Sequence, residues 1–144
     1  YTSGIYDATA KRVDAFVIED PFPPEGDYTS VAVRFVNAIS NSQPMRLLLR
    51  DPVTSRETPV GGAVAYKGAT AFVVLNANDP NIWGTSGGSM ELVVRAATGT
   101  TNLITRTGVG FSRGRAYTVT ARGDMTVTSP TSASRPQLDF TSNR

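Results

Sequence analysis

Apolar and polar residues alternate along this chain in short runs. Val31, Val33 and Phe35 are interrupted by Arg34, and Met45, Leu47 and Leu49 alternate with Arg46, Leu48 and Arg50. Leu92, Val94 and Ala96 alternate with Glu91, Val93 and Arg95, and Tyr117, Val119 and Ala121 with Thr118, Thr120 and Arg122. A period of two puts each set on one side of a strand. The runs are rich in Val, Ile, Thr, Tyr and Phe and are stopped by Gly, Pro, Asn and Asp, which supply turn geometry. This pattern predicts strands over 2–7, 12–19, 30–38, 44–50, 62–67, 70–76, 89–96, 101–107, 116–122, 125–128 and 136–141. Nowhere does a run of ten or more residues keep helical spacing without a breaker. Many short strands with frequent turns predict an all-β chain folded as an antiparallel two-sheet sandwich.

Two stretches interrupt the rhythm. "EDPFPPEGD" at 19–27 holds three prolines and reads as a linker or crossover. It divides the chain into an N-terminal part, 1–28, of strands and linker, and a sandwich domain, 29–144. "YTSGIYD" near the start faintly echoes "YTVTARGD" near the end, so the first part is expected to be the tail of an earlier repeat or a segment that pairs with a partner. If strands 1–19 stand apart from the sandwich, they can complete the sheet of a neighbouring subunit through main-chain hydrogen bonds; otherwise they pack within their own chain. The second stretch, "NANDPNIWGTSGG" at 76–88, is a polar loop carrying the only tryptophan, Trp83.

Composition narrows the chemistry. The chain has 144 residues, enough for one domain with a real core, and neither cysteine nor histidine. That removes disulfides, thiol chemistry, the commonest general base and most zinc or copper sites. No enzyme activity, cofactor or metal is expected. The carboxylates Glu19, Asp20, Glu25 and Asp27 lie in the proline-rich connection and read as solvated linker charge. The net charge of +2 hides an asymmetry, with no acid between Glu91 and Asp124 but five arginines: Arg95, Arg106, Arg113, Arg115 and Arg122. These read as outward strand positions. Only Phe111 and Tyr117 interleave them, so no nucleic acid is expected. No apolar run approaches the roughly 20 residues of a membrane span, and no transmembrane segment is expected.

Residues 30–144 resemble the bacterial domain of unknown function 4397. The likeness rests on "VAVRFVNAISNSQPMRLLLRD", on "SMELVVRAATGTTNLITRTGVGFSRGRAYTVTARGD", and on the tail "RPQLDFTSNR", similar to Bacteroidetes-type proteins that end in Asn-Arg. The Trp83 loop departs from the usual compact pattern. The resemblance implies an immunoglobulin-like sandwich in a secreted or lipid-anchored envelope protein, and it brings no site residues. The expected function is surface structure or self-assembly, with the chain itself or another envelope protein as partner, in an extracellular or cell-envelope location.

An alternative is a carbohydrate- or protein-binding module using Trp83, Asn81 and Asn78 at the loop end, since an exposed indole stacks on sugars and anchors partners. The plainer reading folds the loop back so that Trp83 plugs the end of the sandwich. Asn76, Asn78, Asp79 and Asn81 offer oxygen to a calcium ion, but with little charge, and Asn-Asp-Pro is also turn chemistry. Arg122-Gly123-Asp124 matches a cell-attachment tripeptide and reads here as the corner between two closing strands.

Overall fold

The computed structural model describes residues 2–7, 12–19, 21, 28–83 and 89–143. The chain is all-β. Among the described residues, ten strands run in the order β1 (Thr2–Asp7), β2 (Arg12–Val17), β3 (Ser30–Asn37), β4 (Met45–Arg50), β5 (Glu57–Val64), β6 (Val73–Asn76), β7 (Ser89–Ala96), β8 (Ile104–Gly110), β9 (Ala116–Arg122) and β10 (Gln137–Ser142). A short helix, α1 (Pro80–Trp83), lies between β6 and β7. One sheet has the order β10-β9-β3-β6 and the other β5-β4-β7-β8, while β1 and β2 pair with each other in a separate ribbon. The sandwich is therefore as expected, with one departure: β3 and β9 run parallel, Phe35 opposite Val119.

The core forms where the alternating sets meet. Val31, Val33 and Phe35 of β3 and Val119 and Ala121 of β9 face Met45, Leu47 and Leu49 of β4 and Met90, Leu92 and Val94 of β7. On the far side of the second sheet, Leu48 and Val93 are also buried. Glu57 lies opposite Arg50, and Arg46 opposite Arg95. The two-pronged ion pair from Arg95 to Glu57 thus runs diagonally across β4 and lays its stem over this apolar spot. Arg50 pairs with Glu91 beside it at 2.6 Å.

Three expected strands shift for local reasons. β5 begins at Glu57, not at residue 62, because Pro59, Gly61 and Gly62 disguise it as a turn. Proline is tolerated on an edge strand, and Gly61 (φ +68°) forms a bulge where the pairing with β4 slips between Met45 and Leu47. The strand expected at 101–107 starts at Ile104 and continues to Gly110. The expected strand at 125–128 is a turn, because the Asp124 carboxylate captures the Thr126 amide and hydroxyl. Residues 65–72, expected to be partly strand, run beside the upper half of β3; Asn37 N donates to Gly68 O and Thr70 N to Phe35 O. No helix among the described residues is long and apolar enough to cross a membrane.

Candidate functional site

The outward positions of β3 and β9 should be wet in a plain sandwich, yet Ala32, Arg34, Val36, Ala38, Thr118 and Thr120 are all buried. The N-terminal segment lies on Val36, Ala38 and Arg34. Phe16, from β2, packs on Val36 and Ala38, with Ile18 and Ala69 at the margin of the same cluster. Immediately beyond, Arg34 is only 2% exposed. Its Nε donates to Thr118 Oγ1 at 3.0 Å and its Nη1 to the Glu19 carbonyl at 3.1 Å. Its guanidinium lies 4.8 Å from the Phe72 ring centroid. A cation removed from water is costly unless its donors are used, and among the described residues two protein oxygens and an aromatic face offset part of that cost. Asn143 Nδ2 also donates to Thr118 Oγ1 at 2.6 Å, so the β9 hydroxyl that receives Arg34 is itself held in place.

The result is a seat on the outer face of the first sheet, apolar at one end and cationic at the other, filled by residues 16–19. The sequence carried a sign of it: in "VAVRFVNA" the outward positions Ala32, Val36 and Ala38 are as apolar as the inward ones, the mark of a strand covered on both faces. Alternation alone did not reveal that Arg34 would be buried or that Phe16 would cover Val36.

The Trp83 loop is built differently. Asp79 begins α1; its backbone carbonyl accepts from Ile82 N and Trp83 N, and its carboxylate from Asn81 N at 2.8 Å. Trp83 Nε1 donates to Asn76 O at 2.7 Å, and the indole lies 5.4 Å from Phe111. Phe111 in turn meets Tyr117 and Phe140 edge-on. Trp83 thus joins an aromatic cluster against the main core. Asn78 donates its amide to Asn76 Oδ1, and Asn81 Oδ1 accepts from Arg56. The side-chain oxygens of Asn76, Asp79 and Asn81 are thereby engaged in local turns and a cross-link to the β4–β5 hairpin. Replacing Trp83 by alanine is expected to lower stability by about 2 kcal/mol, read by thermal denaturation, because a partly buried ring and its hydrogen bond are lost together.

Arg122 ends β9, and Gly123 and Asp124 lead from it into a turn, not into the second closing strand that was expected there. Arg122 Nε pairs with Asp139 on the neighbouring β10. The Asp124 carboxylate accepts from Asn41 Nδ2 at 2.8 Å, Thr126 N at 2.8 Å and Thr126 Oγ1 at 2.6 Å. The Thr126 bonds, reinforced by Asn41, hold its pKa below the ordinary aspartate range. A folded-state pKa below the unfolded one gives stability that is complete above the unfolded value and is lost as the pH falls through the folded one. Asp124→Asn is therefore expected to reduce the difference in stability between neutral pH and pH below 3.8, measured by denaturant titration at both.

The remaining charges are dispersed. Arg95 is paired with Glu57, and Arg106 donates to the Leu138 carbonyl at 2.9 Å with its guanidinium over Phe140. Arg113 and Arg115 are exposed in the β8–β9 turn. Glu19 is exposed, whereas Asp20, Glu25 and Asp27 lie outside the described residues. Among the described residues there is no group of three or more Asp or Glu side chains placed to hold a metal ion. Compared with known proteins, the chain matches no family model and no curated sequence. What the fold defines is a two-sheet β-sandwich with an N-terminal ribbon applied to one outer face.

Proposed function

We propose that this chain is a non-catalytic β-sandwich of the bacterial surface or cell envelope, acting structurally by associating with copies of itself or with another envelope protein. The observation that carries the reading is the β1–β2 ribbon, which forms a sheet of its own beside the two four-stranded sheets and meets the body at Val36, Ala38 and Arg34. Such an element has strand edges of its own to offer, and main-chain pairing gives affinity wherever an edge finds a partner. The resemblance to the domain of unknown function 4397 supports the envelope location. The lack of histidine and cysteine supports a role without catalysis. The geometry around Trp83, turned into an aromatic cluster, does not favour the glycan-binding alternative.

Sedimentation velocity over a wide concentration range tests the proposal. Species larger than one chain, growing with concentration, are expected. A single monomeric species throughout would overturn it.

A further inference from the structure

Between Glu91 and Asp124 the chain holds five arginines and no acid. Three of the five are committed within the fold: Arg95 to Glu57, Arg106 to the Leu138 carbonyl and Arg122 to Asp139. The other arginines from Arg34 to Arg135 likewise each donate to an oxygen of the protein. Arg113 and Arg115 differ from all of these. Both are exposed, and among the described residues neither guanidinium has a hydrogen-bond or ion-pair partner.

The turn that carries them is held firmly. Gly114, between the two, has φ +73°; its amide donates to Ser30 O at 2.8 Å, and Ala32 N donates to Arg115 O at 3.0 Å. Two steps along the backbone put the two arginine Cα atoms within about 8 Å of each other. The ring of Tyr28 lies against the same glycine: a Cβ built on Gly114 would stand 3.1 Å from Tyr28 Cδ1. The missing side chain lets the ring approach, yet Tyr28 stays 77% exposed. An aromatic ring contributes chiefly through the area it covers, and here most of that area faces water beside two uncompensated cations.

We infer that the Tyr28–Arg113–Arg115 surface binds an acidic polysaccharide built from uronic acids. Each unit of such a polymer brings a sugar ring and a carboxylate together. The ring stacks on Tyr28, and the carboxylate takes the planar fork of a guanidinium. A neutral glycan would leave both cations unused. Single-stranded nucleic acid is held by a charged groove with successive stacking rings, and one tyrosine with two arginines falls short of that. Repeated units along the polymer raise the strength of a contact that is small for any one of them. This surface belongs to a single chain and is separate from the Phe16 contact, so the inference does not depend on how copies associate.

Affinity electrophoresis of the full chain through gels containing polygalacturonate tests it, with dextran as the neutral polymer and oligothymidylate as the nucleic acid. Retardation by polygalacturonate and none by dextran is expected. Changing Arg113→Gln together with Arg115→Gln is expected to weaken binding about tenfold or more, and Tyr28→Ala about fivefold. Thermal denaturation of these variants should match the unaltered chain, because the side chains removed are exposed. Arg56→Gln together with Arg135→Gln removes the same charge elsewhere and is expected to leave binding unchanged. Equal weakening by that second pair would reduce the effect to net charge and overturn the inference. No retardation by polygalacturonate, or full binding by Tyr28→Ala, would overturn it too. Tighter binding of oligothymidylate than of polygalacturonate would overturn it in favour of nucleic acid.

Discussion

Phe35→Ala is expected to cost about 4 kcal/mol, the upper part of the range for emptying a buried aromatic site. Phe35 is fully buried between the two sheets, opposite Val119 of β9. The void cannot close easily, because the backbone at this point is held on both sides. Phe35 N donates to Thr70 Oγ1 at 3.0 Å, and Thr70 N returns a bond to Phe35 O at 2.9 Å. β9 lies on the other flank and the N-terminal segment covers the outer face. The cost of a large-to-small change follows how far the surroundings can relax, and here they can relax little. Urea denaturation monitored by tryptophan fluorescence measures it, since Trp83 reports from the same core. Leu103→Ala, at a partly exposed position, is expected to cost far less.

Gly123→Ala is the other change with a large expected effect. Gly123 has φ +115°, a region that side chains rarely enter. A Cβ there would meet the Arg135 carbonyl carbon at 2.7 Å and the Ser134 oxygen at 2.9 Å, and would come closer still to the Arg135 oxygen. All are main-chain atoms of the segment leading into β10, so no side chain can rotate away. Relief requires moving that segment, which also breaks the bond from Asp124 N to Ser134 O. Strain and the lost bond together suggest about 3 kcal/mol, a fall in Tm on the order of 10 °C by calorimetry. Gly110→Ala is the control: a Cβ there meets nothing within 4 Å, and a change within about 0.5 kcal/mol is expected. The Arg-Gly-Asp tripeptide is thus explained by the corner itself. The glycine is required by space, the aspartate closes the turn, and the arginine ties β9 to β10.

The parts of this fold that could be read from sequence are those governed by local alternation. β4, β7 and β9 show inward and outward sets without ambiguity, and their limits agree closely with expectation. Errors came where one residue overrides the pattern. "MTVT" alternates like a strand, but the carboxylate of Asp124 bends it into a turn. "ETPVGG" looks like a turn, but as an edge strand it loses little from its proline and uses its glycine for a bulge. α1 was hidden in a stretch read only as polar loop, although Asp79 before Pro80 is an ordinary way to begin a helix.

The seat was only half legible. Apolar residues on both faces of β3 show that something covers its outer side, and nothing local says what. Phe16 and Val36 are distant in sequence, and their meeting depends on how the intervening chain folds back. Arg34 illustrates the same limit from the other side. A charge in the middle of an apolar strand reads as a solvent-facing position. Its burial follows from a hydroxyl 84 residues away in sequence, at Thr118, and from the carbonyl of Glu19. Long-range partners of this kind leave no periodic trace.

The account centres on the β1–β2 ribbon, docked on the body through Phe16, as the element through which copies associate. Sedimentation equilibrium of Phe16→Asp beside the unaltered chain tests this most directly, because an aspartate cannot enter the apolar end of the seat without burying an unpaired charge. Thermal denaturation of the same variant checks that the sandwich, whose core lies on the other side of β3, remains folded. The account predicts a folded variant whose self-association is weakened about thirtyfold or more, the loss expected for an anchor residue. A folded variant that associates as strongly as the unaltered chain would contradict it.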